Sequence, residues 1–365
     1  MFFYLIFFLV TAAISIYSYS LMDPNLTLIN HPFWTTFRNI MVNFGYHMRG
    51  QSAFVYLILL TLIWLLHFIA IKKYTKINVL RLSIGIGALC LFSYPFLSHD
   101  LFNYIFDAKI FTYYGKNPYN NFPGFFYDDP WIRFMHWTDR SYPYGPVFLA
   151  ITIIPSFFAF GIFILNFIFF KIIFVASYIF SVFLLKKINN KIAVIFATHP
   201  LVIIEGLINV HNDLLTVFLG IFGVYFLFRD KTLLGRVFLT LSVGIKYLSI
   251  FTVFITKKNS KFNLISLIGT ILLVSYLYVF ISKQSWYFLT LFIYLPWYKN
   301  FINNLWIFFF GLLLSYYPFI RYGNWSDDYS INRSNIVLYF FILNIIYFLI
   351  VNRKSIIKYY IKFRK

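Results

Sequence analysis

The chain has 365 residues, of which 61% are hydrophobic and only 12% charged, with a formal net charge of +20. Soluble domains carry about 25% charged residues, so this composition excludes one and describes a chain made for lipid. Nucleic acid is not the partner that the positive charge implies, because the basic residues bunch in short segments between apolar runs, as the positive-inside rule expects.

In chain order, the first apolar run, Phe2 to Ile16, lacks a basic leader and a small-x-small cleavage site, which predicts an uncleaved anchor. Further apolar runs predict membrane spans near 53–71, 79–97, 192–209, 213–228, 263–281, 285–299, 303–320 and 336–352. Three basic clusters are assigned to the cytoplasm: Lys72-Lys73 with Lys76 and Arg81; Lys186-Lys187 with Lys191; and Arg353-Lys354 with Lys358, Lys362 and Arg364-Lys365. The expected architecture is all-α and polytopic, with about ten crossings and both termini cytoplasmic. It forms a single domain over 1–365. The one cysteine, Cys90, lies in an apolar run, so no disulfide framework is possible.

The span near 79–97 runs into a polar island, 98–145, which the charge rule places outside. It holds five of the eleven acidic residues: Asp100, Asp107, Asp128, Asp129 and Asp139. A helix opening at Asp100 puts Tyr104 and Asp107 on the same face. Phe102, Ile105 and Phe106 then form an apolar side suited to the bilayer surface. Asp100 is either the cap of this helix or a chemical group. Turn chemistry at Gly115 and Asn117-Pro118-Tyr119 ends it. Asp128-Asp129-Pro130 reads as a second helix start. The paired aspartates could also hold a divalent ion, although no further ligand spacing supports one. His136, Asp139 and Arg140 follow at helical spacing, and Arg133 or Arg140 could grip a phosphate or anchor to lipid headgroups.

Two later stretches resist single spans. Pro155 and Gly161 split 146–185 into a half-helix and one complete span. Lys246, in the middle of Leu233–Ile255, favours a re-entrant pair of half-helices. Between them lie Glu205, the only glutamate of the chain, and His211-Asn212-Asp213. An ionisable residue in a membrane segment is a functional candidate, and the charge rule puts the His-Asn-Asp corner on the same side as Asp100. A solvated turn with a helix cap is the bland alternative for His211 and Asp213. For Lys246 the readings are a paired interior charge or a cation for a lipid headgroup.

Together these strings resemble the GT-C superfamily of polytopic glycosyltransferases, in particular the polyprenol-phosphate-mannose-dependent mannosyltransferases around glycosyltransferase family 87. The resemblance runs through Asp100, Tyr104 and Asp107-Ala108-Lys109; Gly115-Lys116-Asn117-Pro118-Tyr119; Tyr142-Pro143-Tyr144-Gly145-Pro146; Pro200-Leu201, Glu205 and His211-Asn212-Asp213; Gly244 and Lys246; and Trp286-Tyr287 with Leu295-Pro296. It covers about residues 80–300; the N-terminal hairpin and the final spans carry no specific match.

The resemblance implies an inverting transfer of one sugar, mannose above all, from a polyprenyl-phosphate donor to a hydroxyl of a glycan, glycolipid or protein acceptor. The reaction would take place on the outer face of a bacterial or archaeal plasma membrane, with 98–145 as the catalytic loop. In this reading Asp100 is the general base. Tyr104, Asp107, Lys109, Asn117, Tyr144, Glu205, His211, Asn212 and Asp213 bind substrate, and Arg133, Arg140 and Lys246 are candidates for the phosphate. No cofactor is called for, and a metal is possible without being indicated. The alternative class is a transporter or flippase of a lipid-linked sugar.

Overall fold

The computed structural model describes residues 2–258, 260–324 and 327–363, the last segment without the side chains of 327–330 and 354–363. The side chains of the C-terminal basic cluster from Lys354 onward thus lie outside the described residues. Among those described, every regular element is helical. The N-terminal part contains α1 (Phe2–Tyr17), α2 (Pro32–Val42), α3 (Arg49–Lys72) and α4 (Val79–Leu91). The polar island contributes α5 (Asp100–Thr112), and Gly115 follows it with φ +62°, a left-handed stop that glycine adopts without strain.

After the island, α6 (Pro146–Phe158) is the expected half-helix and α7 (Phe163–Ile188) the complete span, broken apart at Phe160 and Gly161, both with positive φ. Next, α8 (Asn190–Thr198) and a wide π-helical stretch, Val202–Ile208, meet at a 65° bend over His199-Pro200. Proline cannot donate into the preceding turn, which explains the break. This bent pair is the centre of the molecule: every residue from Ile192 to Val217 is buried.

The chain then continues through α9 (Asp213–Phe228) and α10 (Thr232–Ile245). Lys246 is extended (φ −150°, ψ 125°), and a 3₁₀ helix from Tyr247 to Phe254 follows, so the two half-helices meet at that lysine. The remaining elements are α11 (Lys261–Tyr276), a 3₁₀ helix Ser285–Tyr294, α12 (Leu295–Asn304), α13 (Trp306–Leu314), α14 (Tyr317–Tyr322) and α15 (Asp327–Phe363).

Among the described residues, five helices are long and apolar enough to cross a membrane: Phe2–Leu21, Arg49–Lys72, Phe163–Ile188, Lys261–Ile281 and Ile331–Arg353. The chain is a multi-pass, all-α membrane protein. The crossings are less uniform than hydropathy predicts. Instead of separate spans near 285–299 and 303–320 there is one pair, Ser285–Asn304 and Trp306–Tyr322, bent by 74°. Four apolar helices, α4, α6, α9 and α10, have only 13–16 residues. Hydropathy measures length of apolar sequence, and a kinked or 3₁₀ segment spends that length differently from a straight helix.

Two expectations within the island are corrected. The helix α5 does not lie on the bilayer surface, because every residue from Leu101 to Ile110 is buried. Phe102 packs against Tyr94, Phe134, Phe163 and Phe167, while Phe106 joins Ile110 and Met135 under the loop that follows. The second helix, from Asp128, does not form; only a 3₁₀ turn, Ile132–Phe134, is present. The Asp129 carboxylate accepts the Trp131 N–H at 2.9 Å, a local turn that competes with helix propagation.

Candidate active site

Asp100 begins α5 without capping it; its carboxylate points away from the helix end toward the central bend. Asp100 Oδ2 accepts from Tyr104 Oη one turn later at 3.4 Å, and that hydroxyl in turn accepts from the Asn212 N–H at 3.4 Å. This ties α5 to the His-Asn-Asp corner 108 residues away.

The corner itself is set by backbone. The π-helical stretch ends at Asn209, and Val210 follows with φ +61°. A β-branched residue there is strained by roughly 1–3 kcal/mol. The left-handed turn at Val210 leads directly into His211, which is fully buried. His211 Nδ1 lies 3.3 Å from Asp100 Oδ2, and Nε2 lies 3.3 Å from Glu205 Oε2. Neither contact is aligned as a hydrogen bond, so they are ion-pair contacts of a carboxylate–imidazole–carboxylate chain. Asn209 Nδ2 donates to Glu205 Oε2 at 3.0 Å, and Trp286 stacks on the imidazole at 3.5 Å between centroids.

Electrostatics favours charge on both members of the Asp100–His211 contact. Burial works to raise the Asp100 carboxyl, but His211, with Lys246 and Arg140, holds it below its usual value. Burial works to lower the imidazole, but Asp100 and Glu205 raise it. The favoured state is therefore carboxylate beside imidazolium. Each partner alone would pay heavily for being buried and charged.

The opening of this site is a cavity of about 480 Å³ reached by Asp100, His99, His136, Trp137, Trp286, Arg49 and Arg333. One carboxylate with a charged neighbour, aromatic walls and cations in a single cleft can remove a proton from a hydroxyl and hold an anionic group.

The other sequence-predicted residues divide clearly. Asp213 and Lys246 form an ion pair at 2.7 Å, with Asn212 Oδ1 3.4 Å from the same ammonium, so Lys246 is a paired interior charge next to the corner. Tyr144 packs edge-on against Tyr104. Asp107 is buried one turn beyond Tyr104, and desolvation pushes it up to about 8 against the lowering effect of Arg140. Lys109 turns away from the cavity, forming a 2.5 Å pair with Asp129 over the Trp131 ring. Tyr114 also donates to Asp129, which leaves that carboxylate engaged. Asn117 accepts from the Tyr119 N–H in an exposed turn. Arg133 approaches Asp23 at 3.7 Å and Arg140 lies over Trp137. Among the described residues no cluster of three or more His, Cys, Asp or Glu is arranged to hold a metal ion.

Sequence reasoning missed Arg49, Arg333 and Tyr316 on the cavity wall. They sit on α3, on α15 and between α13 and α14, in regions without a recognisable motif, and no local signal marks them.

Residues 10–257 match the family described as alpha-(1->6)-mannopyranosyltransferase, N-terminal domain, which is more than half of the chain. No curated protein and no solved structure matches the chain.

Proposed function

The chain belongs to the alpha-(1->6)-mannopyranosyltransferase family and is a mannosyl-transferring glycosyltransferase; we propose that it takes mannose from a polyprenyl-phosphate donor on the outer face of the membrane. The contact of Asp100 with His211 at 3.3 Å, at the edge of the cavity, is the observation that supports this most.

In the proposed reaction Asp100 takes the proton of the acceptor hydroxyl while that oxygen bonds to C1 of the sugar. The C1–O bond to phosphate breaks, and the lipid phosphate leaves with the bonding pair toward the arginines on the cavity wall. A carboxylate kept ionised by an imidazolium is available as a base near neutral pH. A single displacement inverts the anomeric centre, so an α-linked product calls for a β-linked donor. The departing dianion needs positive charge, and Arg49 and Arg333 supply it. His211 and Glu205 orient the base, while Tyr104, Asn212, Asp213 and Tyr144 shape the sugar side.

The test is Asp100→Asn in proteoliposomes supplied with polyprenyl-phosphate mannose. Transfer is expected to fall about 10²–10⁴-fold, with donor binding retained. Wild-type turnover by the variant would remove Asp100 from the role of base.

A further inference from the structure

α3 opens with Arg49-Gly50, and the chain around the end of α14 carries Arg321 and Gly323. Each arginine occupies the space left by the other segment's glycine. A Cβ at Gly50 would lie 2.7 Å from Arg321 Nη1, and one at Gly323 would collide with Arg49 Cζ. Gly323 also has φ +83°, so both its backbone and its missing side chain are used. Arg49 Nη1 donates to the Ile320 carbonyl at 3.3 Å, which fixes it beside the residue preceding Arg321.

Both arginines thereby line one hollow at the contact of α3 with α14, where two like charges share one wall. Among the described residues no carboxylate lies within ion-pair distance of either. Arg49 lies over Tyr46 and Arg321 over Tyr322, contacts that orient a cation without neutralising it. The pair borders an open hollow of about 610 Å³ that includes residues 46–51 and Arg321. Tyr46 and Arg49 also line the 480 Å³ cavity that holds Asp100, so the hollow and the site adjoin and share those two side chains as walls.

We infer that Arg49 and Arg321 form a preorganised fork for a lipid-borne phosphate, and that the donor's phosphate docks there at the mouth of the cavity. Planar guanidinium forks match phosphate oxygens two at a time, which a single lysine cannot do. The inference rests on the polyprenyl-phosphate reading above. It replaces Arg133, Arg140 and Lys246 with Arg49, which lines both the cavity and the hollow, and Arg321, which lines the hollow; among the described residues neither is ion-paired with an acid.

The experiment measures binding of polyprenyl phosphate to the full chain in zwitterionic nanodiscs, with phosphatidylglycerol as the competing source of lipid phosphate. Arg49→Gln and Arg321→Gln should each weaken binding about ten- to hundred-fold, the loss expected for a charge-assisted bond. Gly323→Ala keeps every charge and should weaken binding in the same way by displacing Arg49; the two glutamine variants decide the matter should it fail to fold. Wild-type affinity in both arginine variants overturns the site. Equal competition by phosphatidylglycerol overturns its assignment to the donor. Transfer from polyprenyl-phosphate mannose by wild-type protein, with unaltered binding in the arginine variants, sinks this inference alone. A wild-type protein that accepts no polyprenyl-phosphate sugar sinks the donor reading and this inference together.

Discussion

Asp100 and Arg49 open onto one cavity, yet the protein holds them in contrasting ways. Around Asp100 each charge has an opposite neighbour: His211 at 3.3 Å, then Glu205 at 3.3 Å, with Lys246 and Asp213 paired at 2.7 Å beside them. Around Arg49 the neighbours are backbone, glycine and a second arginine. A buried charge must be compensated inside the protein. A half-exposed cation at the mouth of a cavity can leave compensation to water and to an arriving anion. The acids of the centre thus meet cations of the protein itself, whereas the basic mouth is built to be completed by its ligand.

That contrast is sharpened first at His211. His211→Asn removes the imidazolium that holds the Asp100 carboxyl down, so that carboxyl rises. The acid limb of the rate profile is then expected to move to higher pH, with kcat lower by about 10²-fold at neutral pH. An unshifted limb would show that the pairing does not tune the base.

The Lys109–Asp129 pair tests whether compensation inside the island is structural only. Lys109→Met should cost about 2 kcal/mol of stability and leave donor affinity unchanged, as read by thermal unfolding and binding. Burial works to raise Asp129, but Lys109, Tyr114 and the Trp131 N–H hold it below its usual value. Its contribution is therefore present above the unfolded carboxyl value and lost as pH falls through the lowered one.

Asp107 runs in the opposite direction. Desolvation raises it to about 8, so its stabilising neutral form is lost as pH rises from the unfolded value through 8. Asp107→Asn should flatten the decline in melting temperature between pH 5 and 8; an unchanged slope would place the titration elsewhere. The smallest effect belongs to Arg133→Gln. Its side chain is 49% exposed and 3.7 Å from Asp23, so less than about 1 kcal/mol is expected, with transfer intact.

Much of the scaffold was legible in the sequence because it depends on local rules. Gly161 marked the division between α6 and α7, while Pro155 is accommodated inside α6, and a lysine within an apolar run marked the break between α10 and the 3₁₀ helix after it. The expected surface helix at Asp100 failed for a non-local reason. Periodicity reveals that Phe102 and Phe106 share a greasy side, but lipid and a covering loop present the same apolar environment to them. The helix expected after Asp128 failed because Asp129 found Lys109, Tyr114 and its own backbone more favourable than a continued turn.

By itself the sequence determined a polytopic helical membrane protein, the segments where its helices break, and a short list of acids too costly to bury without purpose. Tertiary structure alone decided which charges neutralise one another and which remain for a ligand. Asp100 meets His211 across 111 positions, and Arg49 meets the backbone before Arg321 across more than 270. Coulomb energy and desolvation depend on distance in space and on what water is excluded, and neither is written in the order of residues along the chain.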